Sequence, residues 1–492
     1  MTLADPLTAK GGSRVVYEVH ISARSLDPFE TLLGRTRVRA IRREVDAARQ
    51  AIGSRVVWNI NSTSTGGGVA EMLRSLLRYA RGLGIDTRWL VLEGPPEFFR
   101  LTKRLHNALH GSVGDGSPLG PAQADFYAHV MRENLLAFDD LVRPSDVVVC
   151  HDPQTAGLVP HFVEKGCHVV WRCHIGHEVH DAEVDRGWAL LRPHLEHVPI
   201  AVFSRGAYAP AWLDPKRTRV LAPNIDPFSA KNQALDPDTV RSILVGVGLL
   251  AGPAGSAPPT FVRDDGSAGR VDRKAEVVRL GPSLAPSVPL VVQVSRWDAI
   301  KDPIGVLKGF ASLVEPGLPG SAALVLAGPS VHSVTDDPEG VEVFAALERS
   351  WRAQSDSLRE RVNLALLPTG DNEENAAIVN ALQRHASVIV QKSLHEGFGL
   401  TVTEAMWKKT PVVASNVGGI RDQIRDEIDG LLVEDPTDLR EFASAIARVL
   451  GDSALAQRLG EHAQDRVKEH YLVTTALERW SAVVRSLVTA RP

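Results

Sequence analysis

Short apolar runs rich in β-branched residues alternate with longer amphipathic stretches along the first half of the chain. The runs lie at residues 56–61, 88–92, 146–150, 168–173 and 199–204. Such runs are typical of parallel strands that helices cover on both faces. After the first run, apolar residues recur at helical spacing from Val69, and Gly82 suits the end of that helix. The pattern predicts a parallel α/β layer.

A second series of the same kind begins near residue 289. Its strand-like runs lie at residues 290–294, 322–327, 362–366, 388–391 and 412–414. Helical patterns separate these runs, including residues 303–313 and 375–384. Two successive β/α series predict an α/β protein of two doubly wound domains.

The region between the two series differs in composition. Residues 235–248 keep a helical pattern, whereas residues 252–287 are rich in Pro, Gly, Ser and charged residues, as is typical of a mobile loop or an insertion. We therefore predict a first domain over residues 1–235 and a second over residues 236–473, with this loop or insertion near 252–287. Further helices are predicted at residues 438–450, 454–469 and 474–486.

Composition and charge limit the classes of partner. The chain has 492 residues, of which 44% are hydrophobic and 23% charged, so a disordered or collagen-like chain is excluded. With 55 Lys and Arg against 59 Asp and Glu, no basic excess favours nucleic acid or a membrane surface. An arginine-rich helix predicted over residues 35–51 could face an anionic partner, but we favour a solvated helix face there.

The cysteine count, and the lack of a predicted signal peptide or membrane span, favour the cytoplasm. Cys150, Cys167 and Cys173 are too few and odd in number for a disulfide framework, which favours a reducing cytoplasm. Residues 1–12 contain no apolar core of a signal peptide. The uncharged stretch after residue 242 is interrupted by Pro253, Pro258 and Pro259, so no membrane span is predicted.

Two segments suit the binding of phosphate groups. Asn59 begins a stretch that leaves the first strand and reaches Gly66, Gly67 and Gly68 at the start of a helix, where backbone N–H groups are free to bind an anion. Arg296 and Lys301 follow the first strand of the second series. There they could neutralise a diphosphate, or they could be an exposed pair bound to Asp298 and Asp302.

The segment from His395 to Ala405 combines two carboxylates with a glycine-rich turn. Glu396 follows the strand at 388–391, and the amides of Gly397 to Leu400 could hold phosphate at a helix start. Glu404 lies about one turn into that helix, within reach of a ribose diol. The spacing of these residues favours a ligand site over a helix surface or a loop cap.

These motifs resemble those of a known enzyme family. Glu396 and Glu404 match the E-x7-E signature of retaining GT-B glycosyltransferases of family 4, and Arg296 with Lys301 matches its diphosphate clamp. The stretches NSTSTGGGVAEML and HNALHG resemble the trehalose glycosyltransferring synthases and their trehalose phosphorylase relatives. The resemblance covers most of residues 55–485. It implies two Rossmann-like domains facing a central cleft, with the C-terminal helix, within residues 474–492, packing back on the first domain.

The resemblance also implies a reaction. A glucosyl unit would pass from an NDP-glucose to glucose with retention, reversibly and without a metal or other cofactor, to give α,α-trehalose. The alternatives are a retaining trehalose phosphorylase, which would release α-glucose 1-phosphate, and a related family 4 enzyme with another acceptor. A sugar-nucleotide epimerase and a non-catalytic binding module are disfavoured by the complete motif. The base of the donor stays open, and a homodimer is a hypothesis taken from the family.

The resemblance also implies a role for each residue that matches a family motif. Arg296, Lys301, Glu396 and His174 would be catalytic, with Glu396 on the donor sugar hydroxyls and His174 on its 6-hydroxyl. Donor and nucleotide contacts would come from eight residues: Gly67, Gly68, Gly397, Phe398, Gly399, Leu400, Thr401 and Glu404. Asp152, His106 and Asn107 would bind the acceptor, although His106 and Asn107 could simply cap a helix.

The segment after His174 departs from the pattern expected of archaeal members. It holds His177, Glu178 and His180, whose spacing is not that of a two-histidine zinc helix. We interpret it as a polar acceptor loop and predict no metal site.

Overall fold

A computed structural model describes residues 6–8, 15–64, 67–314, 322–331 and 338–490. Most of residues 1–12, and Thr65 and Gly66 of the glycine-rich turn, lie outside these ranges. The chain divides into two units. The N-terminal unit comprises the described residues up to Asn224 and from Val473 onward, and the C-terminal unit comprises Ile225–Leu472.

The N-terminal unit is built on an eight-stranded sheet in the order β1-β2-β4-β3-β5-β6-β7-β8. The strands are β1 (Pro6–Thr8), β2 (Val15–Glu18), β3 (Val57–Asn61), β4 (Thr87–Val91), β5 (Val147–His151), β6 (His168–Cys173), β7 (Ile200–Phe203) and β8 (Thr218–Val220). Strands β3 to β8 pair in parallel, and β1 and β2 add an antiparallel edge. The five predicted strands are confirmed with ends shifted by at most one residue.

Helices cover both faces of this sheet. They are α1 (Pro28–Leu33), α2 (Arg35–Ile52), α3 (Gly67–Gly82), α4 (Pro96–Leu109), α5 (Pro121–Phe138), α6 (Asp152–Thr155), α7 (Val159–Glu164) and α8 (Ala182–Leu195). The arginine-rich helix α2 buries Val38, Ile41, Val45 and Ala48 at helical spacing and leaves most of its arginines toward solvent. This arrangement fits the predicted solvated face.

The C-terminal unit contains a seven-stranded sheet in the order β11-β14-β13-β12-β15-β16-β17, parallel except for β11, and a separate β9–β10 hairpin. The strands are β9 (Thr260–Val262), β10 (Ala268–Arg270), β11 (Glu276–Val278), β12 (Leu290–Val294), β13 (Ala323–Pro329), β14 (Val362–Leu367), β15 (Val388–Gln391), β16 (Val412–Ser415) and β17 (Leu431–Val433).

The helices of this unit surround its sheet. They are α9 (Pro237–Gly246), α10 (Pro303–Val314), α11 (Pro338–Arg352), α12 (Asp356–Arg359), α13 (Asn372–His385), α14 (Leu400–Trp407), α15 (Ile420–Gln423), α16 (Leu439–Gly451) and α17 (Ser453–His470). Helix α18 (Val473–Thr489) belongs to the N-terminal unit, where it packs on α2. Among the described residues, no helix combines the length and the apolar character that crossing a membrane requires.

Residues 252–287, predicted as a mobile loop or an insertion, contain the three short strands β9, β10 and β11. The β9–β10 hairpin is attached to the start of α13, because Arg263 forms ion pairs with Asp371 and Glu373. Strand β11 extends the main sheet. These parts of the segment are therefore strands held by ion pairs and by sheet hydrogen bonds, and the choice between a mobile loop and an insertion near 252–287 stays a prediction.

Each sheet reverses its direction of growth at one point. In the N-terminal unit the chain continues from β3 to β4 on one side and from β5 to β8 on the other. In the C-terminal unit it continues from β12 to β14 on one side and from β15 to β17 on the other. Ligands of doubly wound sheets bind outside the carboxyl ends of the strands at such a switch point. The β3/β5 and β12/β15 pairs therefore locate the candidate sites.

Candidate functional site

The segment after β12 supplies two of the predicted cations. Arg296 lies two residues beyond the strand, is largely exposed, and donates from Nη2 to Asp298 Oδ2 at 3.2 Å. Asp298 also accepts from the backbone of Ile300 at 3.1 Å, which fixes the short turn that ends at Lys301. The pairing of Arg296 with Asp298 agrees with the alternative of an exposed ion pair. The high exposure of Arg296 nevertheless leaves its guanidinium group accessible to a ligand.

Lys301 and Glu396 meet across the switch point of the C-terminal unit. Lys301 Nζ lies 2.5 Å from Glu396 Oε2, and the hydroxyl of Ser393 donates to the same oxygen at 3.2 Å. Both charged side chains are nearly buried, at 13% and 9% exposure. The sequence indicated both residues separately, and the structure brings them together because β12 and β15 are neighbours in the sheet.

A second ion pair stabilises the turn that follows Lys301. Asp302 has a left-handed backbone, with φ of 47°, and its carboxylate accepts from the amide of Gly305 at 2.9 Å at the start of α10. The same carboxylate pairs with Lys392, which is almost fully buried. Sequence reasoning treated Asp302 only as a salt-bridge partner of the cations and missed Lys392, whose only signal was a charged residue directly after an apolar strand.

The glycine-rich turn after β15 leads into α14 as predicted. Gly399 has φ of 88°, and a Cβ atom there would lie 3.1 Å from Glu396 Cγ. Phe398 is held against Gly419, where a Cβ atom would lie 2.6 Å from Phe398 Cα. The backbone around Leu400 and Thr401 thus presents the first turn of α14, whose free amides and positive dipole end attract an anion.

Glu404 lies inside the unit, at 5% exposure, rather than on a helix surface. Its Oε1 atom is 3.5 Å from Lys231 Nζ. Lys408, directly after α14, donates to the carbonyl of Glu404 at 3.1 Å and to Asn232 Oδ1 at 3.0 Å. Sequence reasoning missed Lys231, which is distant in the chain and lies in an irregular segment.

The glycine-rich turn of the N-terminal unit follows β3. Helix α3 begins at Gly67, which has φ of 75°, and, its neighbours in the chain aside, no described atom lies within 4 Å of the position a Cβ would take there. Arg74 of this helix donates to the carbonyl of Ser64 at 2.9 Å. Gly67 has no side chain to obstruct the helix start, and the binding of a ligand by Gly67 and Gly68 stays a prediction.

His174 lies just beyond β6 and contacts His151, the last residue of β5. His174 Nε2 is 3.1 Å from His151 Nδ1, and His151 Nε2 is 3.3 Å from Asn59 Oδ1. Burial lowers the pKa of His151 to about 3 and holds that of His174 well below its usual range, and the nearby Arg172 guanidinium acts in the same direction. Both imidazoles are therefore neutral at neutral pH.

Asp152 connects the ends of β5 and β6. Its Oδ1 atom accepts from the backbone N–H of His174 at 2.7 Å, and its own backbone is left-handed, with φ of 62°. Burial raises the pKa of Asp152 to about 7, although the bond from His174 and the charge of Arg172 oppose the shift. Asp152 thus holds His174 in place and can titrate near neutrality.

His106 and Asn107 lie in the last turn of α4. The His106 ring is 4.8 Å from the ring of His110, and the Asn107 carbonyl accepts from the backbone of Ser112 at 2.9 Å. These contacts match the capping alternative, and the assignment of these two residues to an acceptor site stays a prediction.

The histidines after His174 have separate partners. His177 Nδ1 is 2.9 Å from the Val179 carbonyl, His180 Nε2 is 3.4 Å from the Ala207 carbonyl, and Glu178 pairs with Arg205. Within the described part of the chain, no three His, Cys, Asp or Glu side chains are grouped so as to hold a metal ion.

Comparisons with known proteins match both units. The family described as trehalose synthase, N-terminal domain, matches residues 59–210, and the family described as glycosyl transferases group 1 matches residues 282–466. The narrower assignment to family 4 stays a prediction. The chain is 33% identical to the trehalose synthase of Pyrococcus horikoshii over 472 residues, which is 96% of this chain and 99% of the relative.

More distant proteins are also similar in sequence or in structure. The chain is 24% identical to the trehalose phosphorylase of Grifola frondosa over 430 residues, which is 83% of this chain and 54% of that protein. It is also similar to the structure of a UDP-forming α,α-trehalose-phosphate synthase from Burkholderia xenovorans, with a TM-score of 0.64 and 17% identity over 89% of this chain and all of that one. These similarities confirm the predicted GT-B fold of two Rossmann-like domains.

Proposed function

Because the chain belongs to the trehalose synthase family of glycosyltransferases, we propose that it forms α,α-trehalose from an NDP-glucose and glucose. Transfer proceeds with retention, is reversible and needs no metal ion. The observation that carries this proposal is the contact of Lys301 with Glu396 at the switch point between β12 and β15, with Arg296 two residues beyond β12.

The cations take the charge that develops on the leaving group. Arg296 binds the departing diphosphate through its planar fork, and Lys301 acts as a point charge beside it. Preorganised charges of this kind lower the barrier most where water is largely excluded, and Lys301 is only 13% exposed. The amides at the start of α14 bind the same phosphates, and Glu404 binds the ribose beside Lys231.

Glu396 orients the donor sugar. Its carboxylate accepts hydrogen bonds from sugar hydroxyls, while Lys301 and Ser393 fix its position. The acceptor hydroxyl attacks from the face that the nucleotide leaves, and the departing phosphate oxygen takes its proton, so no protein nucleophile is required. On the N-terminal unit, His174 binds the donor, Gly67 and Gly68 lie against phosphate and acceptor, and Asp152 binds the acceptor.

The reverse reaction tests the proposal. Purified full-length protein is incubated with trehalose and ADP, UDP or GDP, and the products are identified by NMR. We expect an α-configured NDP-glucose from one nucleotide, which also identifies the donor base. The Arg296→Ala variant should lose most of this activity, whereas Arg349→Ala, at an exposed position of α11, should not.

A phosphorylase is the second candidate, supported by the similarity to the Grifola frondosa enzyme. Arg296 and Lys301 could hold inorganic phosphate as well as a diphosphate. Incubation of the same protein with trehalose and phosphate separates the two. Release of α-glucose 1-phosphate without any nucleotide would replace the synthase proposal, and absence of product in every arm would refute both.

A further inference from the structure

A continuous chain of buried hydrogen bonds ends at His174. The hydroxyl of Thr87 lies 3.0 Å from the Val57 carbonyl, and Asn59 Nδ2 lies 3.1 Å from that hydroxyl. Asn59 Oδ1 contacts His151, which contacts His174. Each of these side chains is less than a tenth exposed. The first three come from the adjacent strands β3 and β4, and the histidines lie at the ends of β5 and β6.

The direction of each bond follows from the carbonyl at one end. A carbonyl oxygen only accepts hydrogen bonds, so the Thr87 hydroxyl donates to the Val57 carbonyl. The same hydroxyl accepts from Asn59 Nδ2. The oxygen of that amide then accepts from His151 Nε2–H. A neutral imidazole has one donor and one acceptor, so His151 Nδ1 must accept, and His174 Nε2 must donate to it.

We propose that Thr87, Asn59 and His151 are positioning residues that hold His174 in its Nε2–H tautomer. Its Nδ1 atom is then an obligatory acceptor, able to accept a hydrogen bond from a hydroxyl and unable to donate one. If the proposed function holds, His174 therefore selects a donor sugar that presents a hydroxyl at this position. The sequence singled out His174 but gave no sign of the three residues that orient it.

The surroundings leave the two rings few competing partners. The chain of hydrogen bonds follows one wall of a cavity of about 70 Å³. The rest of the cavity is lined mostly by apolar side chains of α2, α3 and α18, such as Ile52, Leu73 and Val484. Apolar side chains offer no alternative acceptor to His174 Nε2–H, and Ser481 is the one hydroxyl that these helices contribute among the described lining residues, so the tautomer depends mainly on the bonded chain.

Nitrogen-15 NMR of the histidine-labelled protein reads the tautomer directly. Protonated and unprotonated ring nitrogens have well-separated shifts, and the spectrum of His174→Gln identifies the signals of His174 among those of the 17 histidines. In the wild-type protein at neutral pH we expect protonation of Nε2 alone. Protonation of Nδ1 alone, or of both nitrogens, would overturn the proposal without bearing on the reaction.

A matched pair of variants tests how the tautomer is held. Thr87→Val keeps the shape of the side chain but removes the hydroxyl, so the Asn59 amide can turn over and reverse the bonds to both histidines. We expect a mixture of His174 tautomers in Thr87→Val and the single wild-type tautomer in Thr87→Ser. Identical tautomer signals in both variants would show that the hydroxyl does not set the direction.

Activity then separates the tautomer from the reaction. In the reverse reaction we expect Thr87→Val to lower kcat/KM about tenfold, the effect of losing one net hydrogen bond, while Thr87→Ser stays close to wild type. A mixed tautomer with unchanged kcat/KM would refute the role of His174 as an acceptor. A single wild-type tautomer in a protein inactive with every nucleotide would refute the proposed function and leave the orientation of His174 intact.

Discussion

The ammonium of Lys301 and the hydroxyl of Ser393 both contact the negatively charged carboxylate of Glu396. Glu396→Gln keeps the shape of the side chain but removes that charge. We expect kcat/KM to fall about 10- to 100-fold, because hydrogen bonds to charged groups are worth about 1.5–3 kcal/mol. Initial rates of NDP-glucose formation check this.

The control for this variant is Glu461→Gln, at an exposed position of α17. It should leave kcat/KM unchanged and so exclude a general effect of removing one carboxylate. Wild-type activity in Glu396→Gln would contradict the assignment of this carboxylate to the donor sugar.

Asp152 makes a pH-dependent contribution to stability whose sign follows from its raised pKa. Between the ordinary value of 3.8 and about 7, the folded protein keeps this carboxyl protonated while the unfolded chain does not. Stability associated with Asp152 is therefore present below pH 3.8 and is lost as the pH rises through about 7. Asp152→Asn has no such proton to lose and can still accept from the His174 amide.

We therefore expect Asp152→Asn to gain stability relative to wild type as the pH rises from 4 to about 7.5, by up to a few kcal/mol. The difference in Tm between the two proteins, measured across this range, checks the expectation, because the other titrating groups are common to both. A difference in Tm that does not change with pH would contradict a raised pKa of Asp152.

Single residues were predictable where a motif carried them, and their partners were not. Glu396, Glu404 and Lys301 stand in recognisable patterns, but Glu404 meets Lys231 through a contact that spans 173 positions of the chain. Pattern and spacing report only neighbours along the chain. The burial of Lys392 is likewise set by the packing of the turn at Asp302, which no local signal describes.

At the scale of elements, the central strands were predicted almost to the residue. Runs such as Leu290–Val294 and Val388–Gln391 are apolar throughout because helices cover both faces of the sheet. Strands β1, β2, β8, β9, β10, β11 and β17 were missed. Each has three or four residues and lies at a sheet edge or in a hairpin, so the run is too short to give a clear pattern.

The start of α14 depends on a glycine. Gly399 combines φ of 88° with a position where a Cβ atom would approach Glu396 Cγ to 3.1 Å. We expect Gly399→Ala to cost about 1–2 kcal/mol for the left-handed backbone, and to lower kcat by displacing Glu396. Thermal unfolding and initial rates measure the two effects.

Gly451→Ala is the matched control, since, its chain neighbours and its own helix aside, no described atom lies within 4 Å of its Cβ position at the end of α16. It should leave both quantities near wild type. Equal behaviour of the two alanine variants would contradict a conformational requirement at Gly399.

At the scale of the whole molecule, each unit has its own apolar core. The C-terminal core is formed by residues between Val291 and Leu459, whereas one face of the N-terminal sheet is closed by residues of α18. Val483, Val484 and Leu487 reach that core although they lie at the far end of the sequence. The last helix therefore contributes to the stability of the first unit rather than to that of the unit it follows.

Val484→Asp tests this division. A carboxylate at a position that is 6% exposed should destabilise the N-terminal unit by about 3–5 kcal/mol, because it would be buried among the apolar side chains of this core. Hydrogen exchange measured by mass spectrometry should accelerate in β3 and β5 and stay unchanged in β12 and β15. Ser486→Asp, at an exposed position of the same helix, should change neither. Equal acceleration in both sheets would instead mean that the two cores unfold as one, and α18 would then stabilise the whole chain.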